Sequence, residues 1–587
     1  MNKIRSDVLN TLLSIPCCNQ RALAKASGYS LGAVNQAVRW LTENGYLDKD
    51  LHPTQTAVQY AESNRPKRAV ILAAGNGVRM APINLDMPKA FLEVNEETLI
   101  ERLLKQLHEV GIHEIYIVVG FMKEAFDYLI DEYGVKLIVN SDYAVKNNLH
   151  SVKLAQAYLE NCYVLPCDLW CADNPFRPYE FYSWYMVSDA LVADSKVRIN
   201  RQMELMMSDG GNAMLGIAYL TAQDAADVRQ TVIQQCQQHR YDGSFWESAL
   251  YGKDRMRLLG RLVSENQVVE INTYEQLRSL DGHSKQLRHA SLEWAANILD
   301  ADCADIAEVT AMKKGVTNRS FRFSCKDKRY IMRIPDSRTQ SIVDRAKEAA
   351  VYAAINDLHI SDRVLYIDPA TGYKLAEYLD GARPCNPMDD ADVKLCMAHL
   401  KAFHAMHLQV PHEMNPFRQV QLYEDLWENA PSGYRDYQAT KDKVFSLQDF
   451  IQAHAGEKCL THVDPIPENF LIIDGADADH AVRLIDWEYA AMQDPHLDLA
   501  MFCISALYSR EQVDHLIDIY FENACPRVTR IKIYCYISVC GLLWSNWCEY
   551  KRRLGVEFGE YSMRQYRFAK DYYALAKEEM NHLGDEV

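Results

Sequence analysis

Residues 461–490 read THVDPIPENFLIIDGADADHAVRLIDWEYA: two short apolar runs suited to strands, split by a polar turn, with carboxylates and an amide at fixed offsets. His462, Asp464 and Asn469 form H-x-D-x-x-x-x-N, and Asp486 closes the second apolar run. A carboxylate such as Asp464 accepts the proton of an attacking hydroxyl. An amide oxygen (Asn469) and a second carboxylate (Asp486) suit a magnesium ion that neutralises a transferring phosphate. The pattern therefore points to phosphoryl transfer, and an acidic hairpin turn with no chemistry accounts for it less well.

Upstream, MKKGVTNRSFRFSCKDKRYIMRIP (312–335) reads as a strand lobe with a glycine turn at Gly315 and a hairpin turn at 326–328. The turn, with Gly315, Thr317 and Asn318, is placed to cover ATP phosphates. Arg333 stands on the following strand where protein kinases have a lysine, and Glu348 on the next helix is placed to pair with it. Glu377 and Leu379 bracket a hinge whose backbone would pair with adenine. Trp544 and Trp547 recur at helical spacing, and Trp487 and Glu488 follow Asp486 directly; this surface suits a cation, although such stripes are more often plain core. HVDPIPENF with IDWEYA and DPHLDLA resembles the choline kinase and aminoglycoside phosphotransferase group over residues 288–587, and the Trp after Asp486 leans toward choline and ethanolamine kinases. That resemblance implies a two-lobed, protein-kinase-like domain, Asp464 as the catalytic residue and ATP with Mg2+ as the phosphoryl donor.

Residues 66–283 change period. AVILAAG is a fully apolar β-run ending in glycine, and helical and strand-like stretches alternate from there to CYVLPCDLW. Such βαβ alternation predicts a Rossmann-like parallel sheet with ligands beyond the carboxyl ends of its strands. At the first such end, Leu72, Ala73, Ala74, Gly75 and Gly77 let the backbone approach a phosphate chain, and Arg79 and Lys89 add positive charge. The stretch lacks both the P-loop G-K-[ST] and the dinucleotide G-x-G-x-x-G. As a whole, L-A-A-G-x-G-x-R-x-x-P with the later P-K resembles the nucleotidyltransferases that activate sugars and phosphocholine. The resemblance implies CTP as the nucleotide, Arg79 and Lys89 as catalytic cations, and Asp168 as a magnesium ligand at the end of an apolar strand. The family's second metal aspartate is replaced here by Asn272, with Glu270 two residues earlier, which leaves open which of the two supplies that contact. Thr273 and Gln276 fit a capping box after it. An acceptor pocket for a trimethylammonium group needs aromatic faces and a carboxylate; Trp184 with Tyr185 and Trp246 with Glu247 supply both, with core packing an equal alternative.

Composition sets the outer bounds. A chain of 587 residues is too long for one core. A net charge of -17 argues against bulk nucleic-acid binding. Sixteen scattered Cys without a C-x-x-C pair read as reduced thiols of a cytoplasmic protein. The N-terminus lacks a signal-peptide core, and the apolar stretch 531–548 contains Lys532 and Asn546, so it reads as a buried helix and no membrane insertion is expected.

Residues 1–65 show three helical segments with a turn at Gly28, then GYLDKDLHPTQTAVQYA, read as a two-stranded wing; the module resembles a winged helix-turn-helix. Seven Lys and Arg less five Asp and Glu leave +2, too little for the roughly six to ten phosphates that typical binders neutralise. A docking or regulatory appendage is favoured over DNA binding. Together the resemblances imply a multidomain α/β and α+β enzyme that phosphorylates choline and then couples phosphocholine to CTP. A second reading changes the acceptor to ethanolamine or another small amino alcohol, and a third is a DNA-binding regulator with ligand-sensing domains. The oligomeric state is left open.

Overall fold

The computed structural model describes the chain except residues 16–18, 78–79, 84–86, 313–317, 336–342, 428–429, 476–480, 555, 557 and 585–587. It divides into two compact units, residues 1–293 with 302–311, and residues 294–301 with 312–587.

The first unit begins with helices Lys3–Ser14, Gln20–Ser27 and Leu31–Glu43, which meet through Val8, Leu9, Leu23, Val34 and Leu41. Gly28, at φ +72°, ends the second helix, and Ser30 caps the third by accepting the Ala33 N–H. The expected wing is reduced to one bridge, Leu47 to Pro53. Its second half is instead the helix Gln55–Ser63, because Thr54 caps the Ala57 N–H and Ala57 and Ala61 fall four apart on the buried face. The module docks on segment 179–182 through its first and last helices. Asp7 accepts hydrogen bonds from Tyr182 (2.8 Å) and Tyr29 (2.6 Å), Asn10 Nδ2 donates to the Tyr179 carbonyl (3.0 Å), and the Tyr60 and Phe181 rings lie 5.2 Å apart. The outer face of the third helix, with Ser30, Asn35, Gln36 and Arg39, stays exposed.

A nine-stranded sheet follows, in the order Lys136–Val139, Glu114–Val119, Arg68–Ala73, Cys162–Pro166, Gly211–Leu220, Trp184–Val192, Arg255–Val263, Glu204–Met207, Val197–Ile199. The first four strands are parallel, as βαβ alternation requires. Beyond them the sheet is mixed: Gly211–Leu220 runs antiparallel to both its neighbours. The helical alternation that dictates a parallel sheet stops near residue 160, so the strands after it are free to reverse. The apolar runs fill two cores, one on each face.

In the second unit, Asn318–Cys325 and Lys328–Pro335 form a hairpin whose turn residues Lys326 (φ 49°) and Asp327 (φ 64°) are both left-handed, as a two-residue turn demands. Lys374–Glu377 and Val364–Ile367 extend it antiparallel. The remainder is mostly helical, and the long helix Arg527–Arg553 packs along Glu560–Gly584. Their approach needs Gly541, since a Cβ there would lie 2.8 Å from the Ala569 nitrogen and the Gln565 carbonyl oxygen. Gly541→Ala is expected to cost about 1–3 kcal/mol by overpacking, read as a lower denaturation midpoint. Within the same helix Lys532 is buried against Asp494 at 2.6 Å. Among the described residues no helix is long and apolar enough to cross a membrane, and the cysteines are free thiols.

Candidate active sites

In the first unit, strand Arg68–Ala73 delivers Leu72, Ala73 and Ala74 to its carboxyl end, followed by Gly75 and Gly77. Gly77 adopts φ +58°, and a Cβ there would stand 2.7 Å from Lys89 Cγ, so glycine lets the turn close on the lysine stem. Lys89 Nζ donates to Asp168 Oδ2 at 2.9 Å and to Asn272 Oδ1 at 2.8 Å. A local pairing brings these together: Leu169–Cys171 runs antiparallel to Val268–Glu270, and the Ile271 N–H donates to the Asp168 carbonyl at 2.9 Å. The Thr273–Gln276 capping box is present and starts a helix right after Asn272. Arg79 lies outside the described residues.

Beside this cluster Tyr185 OH donates to Glu247 Oε1 at 2.9 Å, and Trp246 lies 6.3 Å from the Tyr185 ring. Glu247 is buried, its Oε2 has no hydrogen-bond partner among the described residues, and burial raises its pKa to about 7, with the Glu270 carboxylate pushing the same way against the Tyr185 hydrogen bond. Trp184, next along the strand, faces the opposite side of the sheet. The Arg261 guanidinium covers its ring at 3.6 Å and is held by Glu180 at 2.7 Å. Alternation along a strand thus separates two residues that sequence proximity had paired: Tyr185 alone packs with Trp246 and Glu247, and the Tyr185 and Trp246 rings are both fully buried in the core on that face.

In the second unit the strands Phe470–Ile473 and Val482–Leu484 pair antiparallel, so the loop before them and the turn after them meet. Asn469 ties the two: its Nδ2 donates to the Asp464 carbonyl (2.9 Å) and its own carbonyl accepts the Ile485 N–H (2.9 Å). Asp464 Oδ1 is enclosed with no hydrogen-bond partner among the described residues. Its pKa is pushed well above the usual carboxylate range by burial and then by Asp486, Glu488 and further carboxylates. Asp486, at φ 68°, is shifted the same way by burial and by Glu488, against Arg333 and Lys374. Arg333 forms a two-pronged pair with buried Glu348, and Arg345 bridges Glu348 to Glu488, each at 3.0 Å.

A cavity of about 330 Å3 adjoins, with Tyr423, Glu488, Tyr489 and Trp544 in its walls. Trp547 stacks on Trp544 with centroids 6.0 Å apart. Trp487 points elsewhere: it is fully buried, packs against Phe403, and donates to the Ser361 hydroxyl and the Leu484 carbonyl. Glu377, expected at a hinge, pairs with Arg363 at 3.2 Å, and Leu379 follows the strand end. Asn318 opens the hairpin, while Gly315 and Thr317 lie outside the described residues.

Asp498 is a residue that motif reading passes over, although it lies in DPHLDLA. Fully buried, it accepts the His462 and Val463 N–H groups at 2.9 and 2.8 Å and a contact from His404 at 3.0 Å. It thereby holds Val463 at φ 71°, a costly conformation for a β-branched residue, directly before Asp464. Tyr423 and Tyr489 were likewise invisible, because no local pattern distinguishes a cavity-lining tyrosine from a core one.

Three family models match: MobA-like NTP transferase domain over residues 69–177, phosphotransferase enzyme family over 308–534, and winged helix-turn-helix DNA-binding over 1–48. The choline-phosphate cytidylyltransferase of Streptococcus pneumoniae is 32% identical over 230 residues, which span 36% of this chain and 96% of that protein. The chain belongs to the choline-phosphate cytidylyltransferase family. It carries more than that family requires: this cytidylyltransferase relative is fused to a phosphotransferase domain and preceded by a winged helix. Over that second part, Protein LicA of Haemophilus influenzae is 24% identical over 266 residues, 43% of this chain and 76% of its own. The crystal structure of choline kinase LicA from Streptococcus pneumoniae is similar at 25% identity and TM-score 0.43, covering 48% of this chain and 96% of that one.

Proposed function

We propose that the chain makes CDP-choline in two consecutive steps. Its C-terminal part phosphorylates choline with ATP, and its middle part joins the phosphocholine to CTP with release of pyrophosphate. One observation carries the reading: nearly the whole length of a choline-phosphate cytidylyltransferase relative is matched within a chain that also holds a phosphotransferase domain. The product of the second domain is then the substrate of the first.

In the phosphorylation, Asp464 accepts the proton of the choline hydroxyl as its oxygen attacks the γ-phosphorus and ADP leaves. Its enclosed, unpartnered Oδ1 and the raised pKa suit a base that faces a substrate hydroxyl. Arg333, fixed by Glu348, suits the ATP phosphates, the turn with Gly315, Thr317 and Asn318 would cover them, and the Glu377–Leu379 backbone would meet the adenine. The cavity with Tyr423, Tyr489, Trp544 and Glu488 suits a quaternary ammonium, which offers no N–H and is held by aromatic faces and a negative charge. Trp547 supports Trp544 from behind; Trp487 is left out as core.

In the cytidylyl transfer, the phosphocholine oxygen displaces pyrophosphate in line at the CTP α-phosphorus, with Lys89 and Arg79 stabilising the developing charge. The Gly75–Gly77 turn receives the phosphates through backbone N–H groups. Glu247, whose unpartnered Oε2 is backed by the buried Tyr185 and Trp246 rings, takes the trimethylammonium group. Both centres fit Mg2+, which when bound neutralises phosphate charge. Asp168 and Asn272 already converge on one cationic nitrogen, with Glu270 close by, and Asp486 with Asn469 presents excess negative charge and an amide oxygen. Residues 1–65 act as a docked appendage in this reading, since their contacts are made by the first and last helices.

Incubation with choline, ATP, CTP and magnesium, followed by product identification, tests the proposal; ethanolamine in competition tests the acceptor. A preparation that used ATP only with a sugar, or ignored CTP, would overturn it. The pH dependence is a further check. Glu247 must be ionised to hold the cation and titrates near 7, so the phosphocholine KM is expected to fall by about tenfold between about pH 6 and about pH 8. Glu247→Gln should weaken binding and flatten that profile.

A further inference from the structure

A second kind of ligand is suggested by a cavity of about 390 Å3 in the first unit, lined by none of the site residues above. Its walls carry Arg278, His283, Lys285 and Arg288 against one lining carboxylate, Asp302. In a chain of net charge -17 this is a local reversal of sign. Asp302 is engaged in capping the Ala304 N–H at 2.9 Å, and Glu293 lies nearby, on the side of Cys303. Lys285 and Arg288 are exposed and form no ion pair among the described residues, whereas Arg278 is fixed by the Tyr274 hydroxyl and the Ile306 carbonyl and pairs with Glu275 at 3.7 Å.

The walls are held in place. Tyr274 OH donates to the Leu287 carbonyl at 2.8 Å, Asp281 accepts the Asn95 N–H at 2.9 Å, and Gln286 accepts the Glu93 N–H at 2.9 Å while donating to the Phe91 carbonyl at 3.1 Å. Lys285 and Arg288, two permanent cations without an ion pair among the described residues, stand beside Arg278 around a preformed concavity, where an anion that joined them would relieve their mutual repulsion. Arg and Lys at such spacing match the oxygens of a phosphate group, and the volume lies in the range of small-molecule sites. We propose that this cavity binds a phosphate ester, at a site separate from both catalytic centres.

The test is calorimetric titration of the full chain, wild type against the double variant Lys285→Glu with Arg288→Glu. The probes are inorganic phosphate, glycerol 3-phosphate and guanosine triphosphate. At least one probe is expected to bind the variant about tenfold more weakly or worse, while both transfer reactions measured without probe keep their rates. Loss for glycerol 3-phosphate would assign a phosphomonoester, and loss for the triphosphate alone a nucleotide. If no probe distinguishes the two proteins, the site does not exist. Because the exposed side chains carry no packing, unfolding is not expected; Lys285→Ala with Arg288→Ala repeats the comparison if the charge reversal destabilises the fold. Failure here leaves the two-step reaction untouched, since that is scored by product formation without any probe.

Discussion

Asp464→Ala is expected to lower phosphocholine formation by about 10²–10⁴-fold, the usual worth of a positioned proton acceptor, while CDP-choline synthesis from supplied phosphocholine keeps its rate. The two assays are run on the same preparation, so loss of both would mean that the sites are not independent. The thermal midpoint separates a chemical from a folding defect. Asp464 binds its proton more tightly in the folded chain than in the unfolded one, so its contribution to stability is greatest at low pH and is lost as pH rises toward the elevated folded value. Removing the carboxylate at neutral pH therefore relieves repulsion with Asp486 and Glu488, and the variant is expected to unfold at a temperature no lower than wild type. A large drop would assign Asp464 to the fold and not to catalysis.

Lys89→Ala is expected to do the reverse. It removes the cation on which Asp168 and Asn272 converge, and cytidylyl transfer should fall by about 10²–10³-fold, as for loss of one preorganised charge facing a developing oxyanion. Choline phosphorylation should be unaffected. Since the lysine stem also packs against Gly77, Lys89→Gln serves as a companion that keeps most of that packing and still lacks the charge. The two variants should be similarly inactive; recovery in Lys89→Gln would show that packing, not charge, is what the position supplies.

Much of this architecture was legible because its signals are local. H-x-D-x-x-x-x-N, the glycine turn at Gly75 and Gly77, and the Thr273 capping box each depend on a few adjacent residues and on hydrogen bonds that close within a turn. The helix Gln55–Ser63 escaped because a β-like run next to a helix-turn-helix invites the wing reading, while the deciding factor was the Thr54 cap with Ala57 facing a core built elsewhere in the module. Trp184 and Trp487 were grouped with ligand-facing residues because aromatic side chains look alike in one dimension, and which face each occupies depends on strands and helices distant in the chain.

By itself, the order of residues determined which chemistry-bearing groups lie in which part of the chain: a glycine turn with its lysine in the middle, a carboxylate and amide set in the last half, and a small helical module ahead of them. Only the tertiary structure decided which of those groups meet. Asp168 and Asn272 converge on Lys89 through a strand pairing that spans some hundred residues. Asp498 reaches back to hold the backbone before Asp464, and Arg345 joins Glu348 to Glu488 across the second unit. The reason is physical: a hydrogen-bonded turn is set by its own neighbours, whereas a buried charge takes its partner from whatever the packed core brings within about 3 Å of it.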